Sequence, residues 1–249
     1  MIRAPLIVVC LLVSTGALAL AQTNDVRLEN GSTEERLSTL VEVLRIPPET
    51  RSASALDAIG REAVRMLRYY RTPGQHDEAQ QDLNSAYAAG LVRALGESRS
   101  KKFLPVVVEF AGFGKMARDA LVNFGDEAIP ALIEAATGPE NDLHQKSGAT
   151  LALADLCHVS KAGAANTISD DSRERCRRAA VGLLHSRLDY GQLLSACILA
   201  LAVGRTDLRP EVELLATSSQ AWSDRGLTNA EVIRANQNML RIQLKIYDP

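Results

Sequence analysis

Apolar residues recur at spacings of three and four along most of the chain, the period of an amphipathic α-helix. The first such segment follows Ser32 and Glu35, whose spacing is that of a capping box. The Pro47-Pro48 pair ends the segment, because proline has no amide donor and clashes with the preceding turn. The pattern therefore predicts a first helix, with an apolar stripe made of Leu37, Leu40, Val41 and Leu44.

A longer period overlies this pattern. Residues 55–67 and 120–132 both contain Ala-Leu, an apolar residue before Gly, Glu-Ala, and a final Leu at matching positions. The same pattern recurs less perfectly in two other places. One is Ala94-Leu95-Gly96 followed by residues 103–107, and the other is Ala202-Val203-Gly204 followed by residues 208–212. Each unit predicts a helix, a Gly that ends it in the left-handed conformation, and a second helix with Pro or acid in its first turn. We expect five hairpins, at 49–72, 82–112, 115–137, 142–185 and 189–218.

With these units the chain resembles a HEAT-repeat protein, especially the short bacterial HEAT-like repeats that also occur in phycobilisome lyases. The closest match is residues 119–136, with Ala120-Leu121, Gly125-Asp126 and 129–135, and the resemblance covers roughly residues 49 to 217. It implies an all-α fold, a right-handed α-solenoid of about five hairpins whose second helices line the concave side. The 35 Ala and 34 Leu residues, with 4% aromatic residues, also argue against an all-β fold.

The fourth hairpin departs from this pattern, since residues 158–171 separate its helices where the other hairpins use a few residues. A connection of this length is either functional or simply mobile.

The final helix is predicted to begin with a second capping box, Thr228 and Glu231. It has a wide apolar face, so it either caps the last repeat or forms a dimer seam with heptad-like spacing. One stripe of this face is Val232, Ala235, Met239, Ile242 and Ile246, and the adjacent stripe is Ile233, Leu240, Leu244 and Tyr247.

Residues 1–21 are typical of a secretory signal peptide: Arg3, an apolar run at 6–13, and Ala19-Leu20-Ala21 before the cleavage point. The alternative is an uncleaved membrane anchor. We expect a flexible N-terminal segment at 22–31 and a helical domain at 32–249. The mature chain is then extracytoplasmic, periplasmic or secreted, and does not span the membrane.

Export would place Cys157, Cys176 and Cys197 in an oxidising compartment. Of three pairings, Cys157–Cys176 is preferred because a helical hairpin brings both to the same end; Cys197 has the spacing of a small core residue. His158 and His185 could add metal ligands, but the Cys-x-x-Cys and His-x-x-x-His spacings are absent, so we expect no metal.

A basic stripe is the most distinctive candidate for binding. Arg61, Arg65 and Arg68 share one helical face, opposite a predicted core face of Ala63, Val64, Leu67 and Tyr70. If this is the second helix of its hairpin, the stripe lies on the concave side beside Tyr69, Lys101 and Lys102. Arginine binds carboxylates in bidentate geometry, so an acidic protein segment or anionic glycan is the expected ligand; the alternative is a solvated helix face.

The net charge of −2 and the pI near 6.1 argue against nucleic-acid binding. No catalytic motif is present, and we expect no cofactor. The predicted function is an exported, non-enzymatic scaffold that binds a protein partner through its concave surface. Two alternatives remain: a lyase-like enzyme or chromophore-handling protein, and a structural module that forms a homodimer through residues 228–249.

Overall fold

The structure, a computed structural model, describes residues 28–72, 78–161 and 168–247. All regular secondary structure in these residues is helical, which confirms the predicted all-α fold. The chain divides into two compact units, Met1–Val106 and Val107–Pro249.

The first unit contains helices α1 (Thr33–Arg45), α2 (Ala53–Arg71) and α3 (Glu78–Ser98), then a 3-10 turn at Lys101–Phe103. The predicted capping box of α1 is confirmed. The Ser32 hydroxyl accepts the Glu35 amide at 3.3 Å, and a Glu35 carboxylate oxygen accepts the Ser32 amide at 2.7 Å. Both α1 and α2 pack on α3. The core between them includes Leu40, Ile59, Met66, Tyr87 and Leu91.

Arg51 fixes the end of α1, because its buried side chain donates to the carbonyl oxygens of Ile46 at 3.0 Å and Leu44 at 3.3 Å. Its guanidinium also forms an ion pair with Glu97 of α3 at 2.7 Å. Partial burial raises the pKa of the Glu97 carboxyl, but hydrogen bonds from Arg93 and Arg51 outweigh that effect and hold this pKa below its usual value. Arg51 therefore links α1 to α3.

The prediction of a hairpin at 49–72 is wrong, because α2 is one continuous helix from Ala53 to Arg71. Gly60 does not end a helix here. A Cβ atom on Gly60 would lie 2.8 Å from the Phe103 ring, so this glycine allows close packing within the helix. The matching residue, Gly125, has φ +58° and begins the 3-10 turn that follows the helix ending at Val122.

The last residues of the segment predicted at 22–31 pack against the first unit. Leu28 is 0% exposed, and the Glu29 carbonyl accepts Arg36 Nη2 at 2.9 Å. The folded domain therefore begins before Ser32, because an apolar side chain just upstream of α1 enters the core. Residues 22–27 lie outside the described residues, as do residues 1–21, the predicted signal peptide.

The short helix α4 (Leu104–Glu109) follows the 3-10 turn, which confirms the helix pair predicted at 82–112. Gly96, predicted to end the first helix of that pair, is instead inside α3. Arg99 takes the left-handed conformation, with φ 51°. Helix α3 continues past Gly96 to Ser98. The chain turns at Arg99, after the last hydrogen bonds of the helix.

The second unit confirms three predicted helix pairs, at 115–137, 142–185 and 189–218. Gly204, with φ 69°, takes the left-handed conformation that the repeat pattern predicted for it. The helices are α5 (Lys115–Val122), α6 (Ala128–Thr137), α7 (Leu143–Lys161), α8 (Asp170–Leu184), α9 (Tyr190–Ala202), α10 (Arg209–Thr217), α11 (Ser219–Ser223) and α12 (Ala230–Ile246).

Successive helix pairs of the second unit pack on one another. Helix α7 contacts α5, α6 and α9, and α8 contacts α6 and α9. This stacking of consecutive pairs is typical of helical repeats. The handedness of a solenoid remains a prediction.

Helix α12 packs on α9 and α10 and so covers the last helix pair. Its N-cap is Asn229 rather than the predicted Thr228. The Asn229 side chain accepts the amides of Glu231 at 3.1 Å and Val232 at 3.2 Å, so no capping box forms at Thr228. The buried face carries Ile233, Gln237 and Leu240, whereas Met239, Ile242 and Ile246 are exposed.

Within the described residues, no helix combines the length and the apolar character needed to cross a bilayer.

Candidate binding groove

The predicted basic stripe lies on the exposed face of α2. Arg61, Arg65 and Arg68 are exposed, while the opposite face buries Ala63 and Leu67 as predicted. The core position predicted for Val64 is wrong, because this side chain lines a groove beside the stripe. Tyr70 is half-buried.

We call this feature the basic groove: a cavity of about 640 Å³ in the first unit. Its walls carry four cationic side chains, and its floor is apolar. The cations are Arg61, Arg65, Arg68 and Lys102, the apolar residues are Val64, Phe103 and Val106, and Asp57 and Gly60 complete the lining.

Gly60 and Phe103 shape the floor of the basic groove. The missing side chain of Gly60 lets the Phe103 ring pack against the backbone of α2. Lys102 Nζ lies 4.9 Å from the centroid of the same ring, within the range of a cation–π contact. Sequence analysis did not include Phe103 among the site residues, because only the fold brings it onto α2.

Three of the four cations already contact carboxylates of the same unit. Arg61 binds Glu29 through two nitrogens, at 2.6 and 2.7 Å, and Lys102 forms an ion pair with Asp57. Arg65 binds Glu62 at 2.8 Å. Arg68 has no carboxylate partner among the described residues. The groove cations are thus placed where carboxylates can bind them. Arg68 is the cation that is not paired with any of these three acids.

Glu62 is a buried acid beneath the arginines, 4% exposed. Besides Arg65, it lies 3.6 Å from Arg36 Nη1 and accepts the Tyr87 hydroxyl at 3.1 Å. Burial raises the pKa of Tyr87 above its usual range, and the negative charge of Glu62 adds to this effect, so Tyr87 remains a hydrogen-bond donor. Sequence analysis missed Glu62, because the predicted core face began at Ala63, whereas the buried face of α2 also includes Ile59 and Glu62.

Two of the predicted binding residues do not line the basic groove. Tyr69 packs edge to face against Tyr70, with ring centroids 5.4 Å apart. Lys101 is exposed beside the groove residue Lys102 but does not line the cavity itself. The helical period places Tyr69 one position past Arg68, which turns its ring away from the stripe.

The predicted cysteine pair lies in the second unit, on α7 and α8. Cys157 and Cys176 are both fully buried, and their thiols are in hydrogen-bond contact. Cys197 is buried in α9, as predicted for a core residue. The structure therefore has both residues that the sequence favoured as reduced, buried thiols on helices that pack on each other, and the disulfide itself remains a prediction.

Asp126 joins two of the stacked helix pairs. Its carboxylate accepts the Ser169 amide at 2.9 and 3.1 Å, just before α8 begins. Burial raises the pKa of Asp126, but hydrogen bonds from Ser169 and Ser172 outweigh it and hold this pKa below its usual value. The sequence pattern showed Asp126 only as part of a turn.

The long connection predicted at 158–171 is shorter in the structure, because α7 continues to Lys161 and α8 begins at Asp170. Residues 162–167 lie outside the described residues. His158 packs edge to face against Tyr247, with centroids 5.0 Å apart, and His185 lies 3.3 Å from Glu211. Within the described ranges, no three His, Cys, Asp or Glu residues form a cluster that could hold a metal ion.

No family model matches the chain, and no curated protein matches it. A solved structure with some likeness is the crystal structure of an engineered protein from the Northeast Structural Genomics Consortium. It is 18% identical, with 87% of this chain and 97% of that chain covered, at a TM-score of 0.37. Membership of the HEAT-repeat family remains a prediction, since no family model matches the chain.

Proposed function

We propose that this protein is an exported, non-enzymatic scaffold that binds an acidic segment of a protein partner in the basic groove. One observation carries the proposal: four cationic side chains surround an apolar floor in a single cavity. Such a cavity offers charge to carboxylates and apolar surface to the neighbouring side chains of a ligand.

The internal ion pairs support a carboxylate ligand. Glu29, Asp57 and Glu62 each bind one groove cation, so the cations are already oriented toward carboxylate oxygens. A partner carboxylate would contact Arg68 first, and could then exchange with the partly exposed acids Glu29 or Asp57. Apolar side chains of the same segment would pack on Val64 and Val106.

Arg65 differs from the other groove cations because a buried acid holds it from below. Two of its nitrogens contact Glu62, while nearly half of its side chain stays exposed. A cation fixed in this way loses less side-chain freedom on binding than one on an unrestrained side chain. Arg65 therefore lines the groove with a cationic side chain that Glu62 holds in place.

The export part of the proposal depends on residues 1–21 and their signal-peptide pattern. It places the protein in an extracytoplasmic location, periplasmic or secreted. The non-enzymatic part reflects the lack of catalytic motifs in the sequence.

The test is a selection of random peptides on residues 22–249, followed by affinity measurements by fluorescence anisotropy. We expect the selected peptides to be rich in Asp and Glu with interspersed apolar residues. Arg68→Glu should weaken their binding by about tenfold or more, since it replaces attraction by repulsion. Raising the salt concentration should also weaken binding, because exposed charges are screened.

Arg234→Glu is the matched control, since it makes the same charge change at an exposed position on α12. Peptides without acidic enrichment, or equal binding by the Arg68→Glu and native proteins, would contradict the proposal. A coloured ligand that copurifies with the chain would instead favour the lyase-like or chromophore-handling alternative.

A second candidate function is a structural module that dimerises through α12. The observation that favours it is the exposed stripe of Met239, Ile242 and Ile246, which the packing of α12 on its own unit leaves uncovered. The spacing of these residues, three and four, suits a helix-to-helix seam. Its test is the oligomeric state in solution.

A further inference from the structure

The thiols of Cys157 and Cys176 meet across two consecutive helices of the second unit. Cys157 lies on α7, Cys176 lies on α8, and these helices pack on each other. Both side chains are 0% exposed, and the thiols are in hydrogen-bond contact. A disulfide requires the two side chains to lie close together, and thiols within hydrogen-bonding reach of each other meet this requirement, although both are reduced in the structure.

The surroundings of Cys176 favour its thiolate. The hydrogen bond from Cys157 lowers the pKa of Cys176, burial opposes this effect, and the positive charge of Arg173 adds to it. Cys197 shows the contrast: it is equally buried on α9, and burial raises its pKa to about 12. Within the folded unit, the Cys176 thiol therefore loses its proton more readily than the Cys197 thiol.

We propose that Cys157 and Cys176 form an intramolecular disulfide that joins α7 to α8, through exchange with an external disulfide. This inference is independent of the basic groove, which lies in the other unit.

The exchange balances in two steps. The Cys176 thiolate attacks one sulfur of the external disulfide, whose S–S bond breaks and whose second sulfur leaves and takes up a proton. Cys157 then loses its proton and attacks the Cys176 sulfur of the mixed disulfide, which releases the second external thiol. The cysteine pair loses two electrons, and the external disulfide gains them.

Burial determines when this exchange can happen. Neither thiol is exposed in the folded unit, so the external disulfide reaches them during folding or during a local opening of α7 and α8. Once formed, the bond is shielded from reductants by the same packing. The geometry points to a structural bond rather than one that is oxidised and reduced repeatedly.

Peptide mapping tests the bond directly. The purified protein is equilibrated with oxidised and reduced glutathione, its remaining thiols are alkylated at low pH, and it is digested with trypsin without reductant. Trypsin cuts after Lys146, Lys161, Arg175 and Arg177, so the expected product is residues 147–161 linked to residues 176–177. Oxidation should also raise the melting temperature by about 5–10 °C, because the bond restricts the unfolded chain.

Cys197→Ser is the matched control and should keep the linked peptides and the shift in melting temperature. Cys176→Ser should lose both. Since a serine variant could fold poorly, the native protein alone also decides the question. Full alkylation of Cys157 and Cys176 after equilibration, or a linked pair that contains Cys197, would overturn the proposal.

Discussion

Gly148 shows how one residue determines the packing of the second unit. It lies in α7 where this helix passes the 3-10 turn at Ala111–Phe113. A Cβ atom there would lie 2.1 Å from the Ala111 carbonyl oxygen, which is backbone and cannot move aside without shifting the turn. Any side chain at this position must therefore separate the two elements.

We predict that Gly148→Ala lowers the free energy of unfolding by about 1–3 kcal/mol, because it overpacks a backbone contact. Urea unfolding followed by circular dichroism measures the change. Gly182→Ala is the control, since a Cβ atom on this α8 residue meets nothing within 4 Å. The control should leave stability unchanged or raise it by up to about 1 kcal/mol, because alanine favours a helix. A harmless Gly148→Ala would contradict the close approach.

Asp126 gives a prediction that depends on pH. Its pKa is lowered in the folded state, so its stabilising effect is complete above the pKa of the unfolded chain, about 4, and is lost as the pH falls through the folded pKa. Asp126→Asn should cost about 1 kcal/mol at pH 7, because it weakens the bonds to Ser169. Urea titrations at several pH values should show the difference from the native protein shrinking toward pH 3. A difference that does not change with pH would argue against a charged Asp126 in this role.

At the scale of the element, local signals explain most of what the sequence predicted correctly. The capping box at Ser32 and the left-handed glycines at 125 and 204 depend on neighbouring residues, so they can be recognised in the sequence. The hairpin expected at 49–72 was wrong because the role of Gly60 depends on Phe103, which is distant in the sequence.

At the candidate site, too, the sequence predicted the features that depend on neighbouring residues and missed those that depend on distant ones. The helical period predicted that Arg61, Arg65 and Arg68 share an exposed face, and the structure agrees. The apolar floor at Phe103 and Val106 comes from tertiary packing, as do the pairs of Arg61 with Glu29 and Lys102 with Asp57. Only the Arg65–Glu62 pair is local to one helix. Periodicity along one helix gives the face of a residue but not its partners on other elements.

The start of α12 provides a prediction about capping. Asn229→Ala should lower the free energy of unfolding by about 1 kcal/mol, since its side chain satisfies two amides of the first turn. Thr228→Ala, the neighbour that the sequence favoured as the cap, should have a much smaller effect. Thermal unfolding of both variants separates the two positions, and equal losses would mean that the cap is not where the structure places it.

At the scale of the whole molecule, the exposed stripe on α12 gives a prediction about assembly. If it is a dimer seam, the native protein should have the mass of a dimer in light scattering at micromolar concentration. Ile242→Glu combined with Ile246→Glu should give a monomer, because the charges would oppose burial. Leu214→Glu changes an exposed apolar residue on α10 and serves as the control. A native monomer at all concentrations would remove the dimer from consideration.

The packed N-terminal residues affect how any shortened version of this protein should be judged. A chain that began at Ser32, the boundary that the sequence pattern favours, would lose both a fully buried leucine and the acid that occupies Arg61. Its groove would carry more unneutralised positive charge than that of the longer chain. Affinities for acidic ligands measured on such a fragment would then be overestimates, produced by the truncation rather than by the protein.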